Sequence, residues 1–98
     1  MSILMEVLKE EYDRLERQKN SYERALLELP KGYISKKQIR GKESYYLQHR
    51  EGQKIVSKYI SASDLPEIEN QVKQRKQLEK SLKRVAVDMK QLRKVLEV

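Results

Sequence analysis

Ninety-eight residues, 38% hydrophobic and 38% charged, with no Trp, Phe or Cys, leave too little bulk for a thick core and exclude disulfides, thiolate metal sites and a cysteine nucleophile. The same inventory suits a helix-on-helix seam, to which each helix contributes one apolar stripe. A formal charge of +7 fits two uses: solubility with attraction between helices, or an electrostatic footprint for nucleic acid.

Residues 1–29 contain neither Gly nor Pro. Met1, Met5, Leu8, Tyr12, Leu15, Tyr22, Leu26 and Leu29 recur at alternating steps of four and three, with Lys19 in the one remaining place. That spacing predicts a helix of roughly 40 Å that keeps a single stripe toward one partner. Pro30 and Gly32 stop it, because proline removes a donor and pushes Leu29 out of helical angles. The opening Met1-Ser2-Ile3-Leu4-Met5-Glu6 meets acid too early for a secretory apolar region, and no run reaches membrane-spanning length. The expected address is cytoplasmic, away from membranes.

Across residues 32–60 the period changes to two. Tyr33–Ile39, Glu43–Arg50 and Lys54–Ile60 read as three strands, joined by two-residue turns at Arg40-Gly41 and Glu51-Gly52. Those turns align Ile34, Leu47 and Val56 on one face, flanked by Lys36, Tyr45 and Lys58. The other face carries Ser35, Tyr46 and Ser57, with Tyr33, Gln48 and Ile55 beside them. A slip of one residue would exchange the faces.

Residues 64–98 form a second helix. Asp64 and Glu67 are spaced as a capping box, Pro66 is tolerable in a first turn, and Arg93 and Lys94 suit the negative end of the helix dipole. An apolar seam runs through Leu78, Leu82, Val85, Met89, Leu92 and Leu96. Ile68 and Val72 lie on a slightly different register, with Arg75 between the runs, so a local change of winding is expected there. Lys76, Lys83 and Lys90 recur every seven residues, as do Lys73, Lys80 and Lys94 with Val87 interrupting. These rows are a solvated coiled-coil flank or an extension of a basic surface.

The resulting plan is a single α+β domain: long helix, three-stranded antiparallel β-meander, long helix. The helices pair as an antiparallel coiled-coil hairpin, with the meander at its closed end. Neither helix can hide its stripe alone, and an isolated meander is marginal. Pairing of the stripes with a second copy, as a homodimer, is the competing arrangement.

Little here supports catalysis. His49 is the only histidine and lacks the nucleophile and carboxylate of a triad or the further ligands of a metal site. Gly32, Gly41 and Gly52 are spaced as turn residues rather than as a phosphate loop. Asp13, Asp64 and Asp88 form no carboxylate pair for acid–base chemistry. The expectation is no enzyme, no metal and no cofactor.

Charge is unevenly spread. Residues 1–30 hold five basic and seven acidic residues, residues 31–60 eight and two, and residues 61–98 nine and six. In the basic meander, lysines and arginines sit among Tyr33, Tyr45, Tyr46 and Tyr59. Basic side chains neutralise phosphates and tyrosine rings stack on bases, and a twisted ribbon of this size could enter a major groove. Tyrosine is also simply a good strand residue, and lysines on short edge strands discourage aggregation. The leading reading is a basic binding protein, an accessory or regulator associated with DNA or RNA. Its candidate contacts are Lys36, Lys37, Arg40, Lys42, Tyr46, Arg50, Lys54 and Lys58. The alternative is a protein–protein interaction module that docks on or inhibits a nucleic-acid-processing protein.

The stretch Leu29-Pro30-Lys31-Gly32, the turn around Ile39-Arg40-Gly41-Lys42, the run Tyr45-Tyr46-Leu47-Gln48-His49-Arg50-Glu51-Gly52 and the end Ser57-Lys58-Tyr59-Ile60 resemble the core of a group of small bacterial proteins with helical flanks. The resemblance covers about a third of the chain. It implies the helix–meander–helix plan and carries over no activity or partner.

Overall fold

The computed structural model describes residues 2–97, so Met1, the first member of the predicted heptad, lies outside the described residues. The elements run α1 (Ile3–Leu27), β1 (Tyr33–Ile39), β2 (Lys42–Glu51), β3 (Lys54–Ile60) and α2 (Leu65–Leu96). Two compact units are distinguishable. One combines α1 with the part of α2 from Gln77 onward, and the other spans Leu29–Lys76.

In the helical unit the two heptad stripes meet within one chain. Leu15, Val85 and Met89 are buried, and Tyr12, Tyr22 and Leu92 pack against them. The pairing is antiparallel. Tyr12 meets Arg93, while Tyr22 shares a cleft with Ser81 further back along α2. Both tyrosines place the ring in the seam and satisfy the hydroxyl at its edge. The Tyr12 hydroxyl accepts from Arg93 Nη2 at 3.0 Å and the Tyr22 hydroxyl from Gln18 Nε2 at 2.8 Å. Lys19, the polar member of the heptad, is half-buried, which suits a long aliphatic stem lying along an apolar seam. Ser2 caps α1: its Oγ accepts the Met5 N–H at 3.1 Å. The rows Lys76, Lys83, Lys90 and Lys73, Lys80, Lys94 are exposed, off the seam.

α2 begins at Leu65, directly after Asp64 as expected, and the Asp64 carbonyl accepts the Ile68 N–H at 3.0 Å. Ser61 Oγ accepts the Asp64 N–H at 3.3 Å, and the Ser61 carbonyl already accepts the Leu65 N–H at 3.1 Å. A turn anchored on Ser61 thus leads into the helix. The Ser61 hydroxyl, just past β3, satisfies the Asp64 N–H ahead of the helix.

In the other unit the three strands form one antiparallel sheet in the order β1-β2-β3. The first turn falls at Arg40-Gly41, both with positive φ, as a type I′ turn demands. The second is one residue later than expected. Glu51 pairs with Lys54, so the turn residues are Gly52 and Gln53, with Gly52 at φ 61. Glycine in the first central position, followed by a residue of negative φ, suits a type II′ turn. The predicted Glu51-Gly52 would have forced Glu51 into the left-handed region. The shift moves the partner of Leu47 by two residues, from Val56 to Lys58, and sets Val56 opposite His49. A shift of two preserves faces, so the expected division of side chains between them stands.

One face of the sheet is the inner one. Ile60 on β3 and Val72 on α2 are the buried apolar residues of this unit. A shallow cleft is lined by Leu47, Lys58 and Ile60 from the sheet and by Ile68 and Gln71 from α2. Arg75, the cation that interrupts the α2 stripe, donates from Nη1 to the Leu29 carbonyl at 3.0 Å. The stripe changes register between Arg75 and Leu78, where the two units divide.

Candidate functional site

The alternation of each strand sorts the meander's side chains into two chemically different faces. Ile34, Lys36, Glu43, Tyr45, Leu47, His49, Glu51, Lys54, Val56, Lys58 and Ile60 share the inner face. Here acids share the face with the basic groups. Lys36 Nζ lies 2.9 Å from Glu43 Oε1, and Lys54 sits opposite Glu51. The hydrogen bond and charge of Lys36 hold the Glu43 carboxyl below its ordinary range, and Glu43 raises Lys36 in return. His49 Nε2 is 3.0 Å from Glu51 Oε1, a partner two residues along the same strand. Among the described residues, no three His, Cys, Asp or Glu side chains gather as metal ligands.

The open face carries Tyr33, Ser35, Lys37 and Ile39 from β1. Lys42, Ser44, Tyr46, Gln48 and Arg50 come from β2, and Ile55, Ser57 and Tyr59 from β3. It has cations at Lys37, Lys42 and Arg50 and no carboxylate at all. Tyr33 is 51% and Tyr59 62% exposed, large values for rings on paired strands. Tyr46 and Tyr59, directly opposite each other, make an edge-to-face contact with centroids 5.8 Å apart and planes at 71°. The Lys37 ammonium stands 5.0 Å from the centre of the Tyr46 ring. Gln48 Nε2 donates to Ser57 Oγ at 2.9 Å across β2 and β3, leaving the amide oxygen for an outside donor.

The predicted contact residues therefore do not form one surface. Lys37, Lys42, Tyr46 and Arg50 gather on the open face. Lys36, Lys54 and Lys58 are on the inner one, Lys58 lining the cleft beside Asp64. Arg40 stands at the tip of the first hairpin with φ 54. Tyr33 and Tyr59 are absent from the predicted set although they are the most exposed rings of the open face. Strand alternation alone, applied from Tyr46 outward, finds both.

Fold and face together define a helix–meander–helix protein with an acid-free, tyrosine-bearing sheet surface. The chain belongs to the DUF6788 family, a domain of unknown function whose model matches residues 6–70, from α1 through the meander into the start of α2. No curated protein and no solved structure matches the chain. No helix among the described residues is long and apolar enough to cross a membrane.

Proposed function

We propose that this chain is a non-enzymatic basic binding protein that associates with nucleic acid through the open face of its sheet. The observation that carries the reading is the segregation of charge. Lys37, Lys42 and Arg50 share a face with no acid, whereas inner-face Lys36 is neutralised by Glu43. Unmatched cations repel one another, and a polyanion relieves that repulsion while releasing its own counterions. The tyrosines supply flat apolar surface between the charges, a combination suited to a sugar–phosphate chain and its bases.

A mobility-shift titration with DNA and RNA at low salt tests it. The expected result is binding at micromolar protein that weakens steeply as salt is raised. Absence of any shift at tens of micromolar protein would sink the reading. A stable protein partner that survives nuclease treatment, recovered in place of nucleic acid, would move the function to a docking module instead.

A further inference from the structure

The open face has features that bear on which form of nucleic acid it takes. We propose that it is a platform for single-stranded nucleic acid, with bases stacked on Tyr33 and Tyr59 and phosphates met by Lys37, Lys42 and Arg50. This inference rests on the nucleic-acid reading above and narrows its ligand class.

Width argues first. The major groove of duplex DNA is about 12 Å wide and admits a helix or a two-stranded ribbon. Three strands set their outer backbones roughly 10 Å apart before side chains are added. On the sheet's inner face, α2 residues Ile68 and Gln71 share a cleft with Leu47, Lys58 and Ile60. With side chains added, such a layer is broader than a two-stranded ribbon and fits that groove less well.

The rings argue second. A duplex hides the flat faces of its bases in its own stack, so exposed tyrosines find no π-surface there. An unpaired strand presents those faces, and sheet-borne aromatic rings take them up by stacking. Tyr59 is held by its edge-to-face contact with Tyr46, and Lys37 over Tyr46 fixes the ring behind it. This leaves Tyr59 oriented in advance and still 62% exposed. Tyr33 lies on the far strand β1, so the rings flank Gln48 and Ser57, whose polar groups are placed to meet a base edge between them.

The test is fluorescence anisotropy of the full chain with labelled oligo-dT, oligo-U and a duplex of equal length, at matched salt. Single strands should bind at least ~10-fold tighter than duplex. Tyr33→Ala and Tyr59→Ala should each weaken single-strand binding by roughly 5- to 10-fold or more with the salt slope unchanged, because stacking is not a charge contact. Tyr59→Phe, which keeps the ring, should stay within about 2-fold. Ile39→Ala, an exposed change on the same face, controls for folding, together with thermal melts of every variant. Equal or tighter binding of duplex, or indifference to both alanine variants, overturns the inference and leaves the broader reading intact. Failure of every oligonucleotide to bind overturns both. Equal binding of polyglutamate or of anionic vesicles shows a general polyanion surface and likewise overturns the inference.

Discussion

A Cβ atom added to Gly32 would lie 2.1 Å from the carbonyl oxygen of Gln48, well inside contact distance and against backbone that cannot swing away. Gly32 also holds φ at 114, where L side chains are strained. Both facts tie the approach to β1 to the middle of β2. Gly32→Ala is expected to destabilise the protein by about 2 kcal/mol or more, read as a lower urea midpoint. Gly52→Ala meets no atom within 4 Å and should lose only about 1 kcal/mol from its turn conformation. Equal losses at the two sites would show that the close approach does not matter.

The helical seam gives a second contrast. Leu15 is 5% exposed against Val85 and Met89, whereas Leu27 near the end of the same helix is 86% exposed. Leu15→Ala should destabilise by roughly 2–4 kcal/mol, from lost burial and the cavity left behind. Leu27→Ala should stay within about 0.5 kcal/mol. Chemical denaturation of the two variants decides it.

Arg75 occupies an apolar stripe because its guanidinium reaches the Leu29 carbonyl. Arg75→Met fits the stripe but leaves that part-buried acceptor without this donor, and a loss of roughly 1–2 kcal/mol is expected. If Arg75→Met proved as stable as the parent, the hydrogen bond would be incidental and the stripe simply tolerant of charge.

For the ion pair between Lys36 and Glu43, the sign of the pH dependence follows from the directions of the two shifts. Glu43 is held down, chiefly by its hydrogen bond from Lys36, so its contribution is present above the ordinary carboxylate range and disappears as pH falls through its lowered value. Lys36 is raised by the same bond, so its contribution is present below the ordinary lysine range and disappears as pH rises through its elevated value. Any deficit of Glu43→Gln at neutral pH should therefore vanish near about pH 2.5, below the carboxylate range. Both groups are exposed, so the effect is small and screened by salt. Urea midpoints of both proteins at the two pH values measure it, and a persistent acid-side difference would reject the pairing as its source.

If the chain binds nucleic acid as proposed, charge segregation predicts which cations govern the affinity. Lys37→Gln, Lys42→Gln and Arg50→Gln should each lower the slope of log affinity against log salt by about 1. Lys36→Gln, whose charge is already met by Glu43, should leave the slope nearly unchanged. Salt-dependent titrations of the four variants check this. A uniform effect across both faces would dissolve the distinction between them.

Much of this structure is local chemistry written along the chain. The four-and-three spacing from Met5 to Leu26, the stop at Pro30, and the alternation from Tyr33 to Ile60 each act over a few residues. The helices and strands fall within a residue or two of where those signals end. Face membership was equally readable, because side chains alternate whatever the partner strand. The turn at Gly52 was readable only in part. Whether glycine serves as the first or second turn residue depends on how β2 and β3 twist together, and this choice moved Lys58 opposite Leu47. The turn at Ser61 ahead of α2 was hidden for a related reason, since its hydroxyl reaches the Asp64 N–H only once β3 has delivered it there.

What the sequence determined by itself, then, was the order and type of elements and the abundance of cations among tyrosines in the middle third. Only tertiary structure decided which of the two faces is covered. Burial of Ile60, in a cleft shared with Ile68 and Gln71 of α2, makes the face of Lys36, Lys54 and Lys58 the inner one. It leaves Lys37, Lys42 and Arg50 with Tyr33, Tyr46 and Tyr59 on the open one. The physical reason is that alternation makes two faces but does not say which will be covered. That is settled by where apolar surface can be removed from water, a property of contacts between segments distant in the chain.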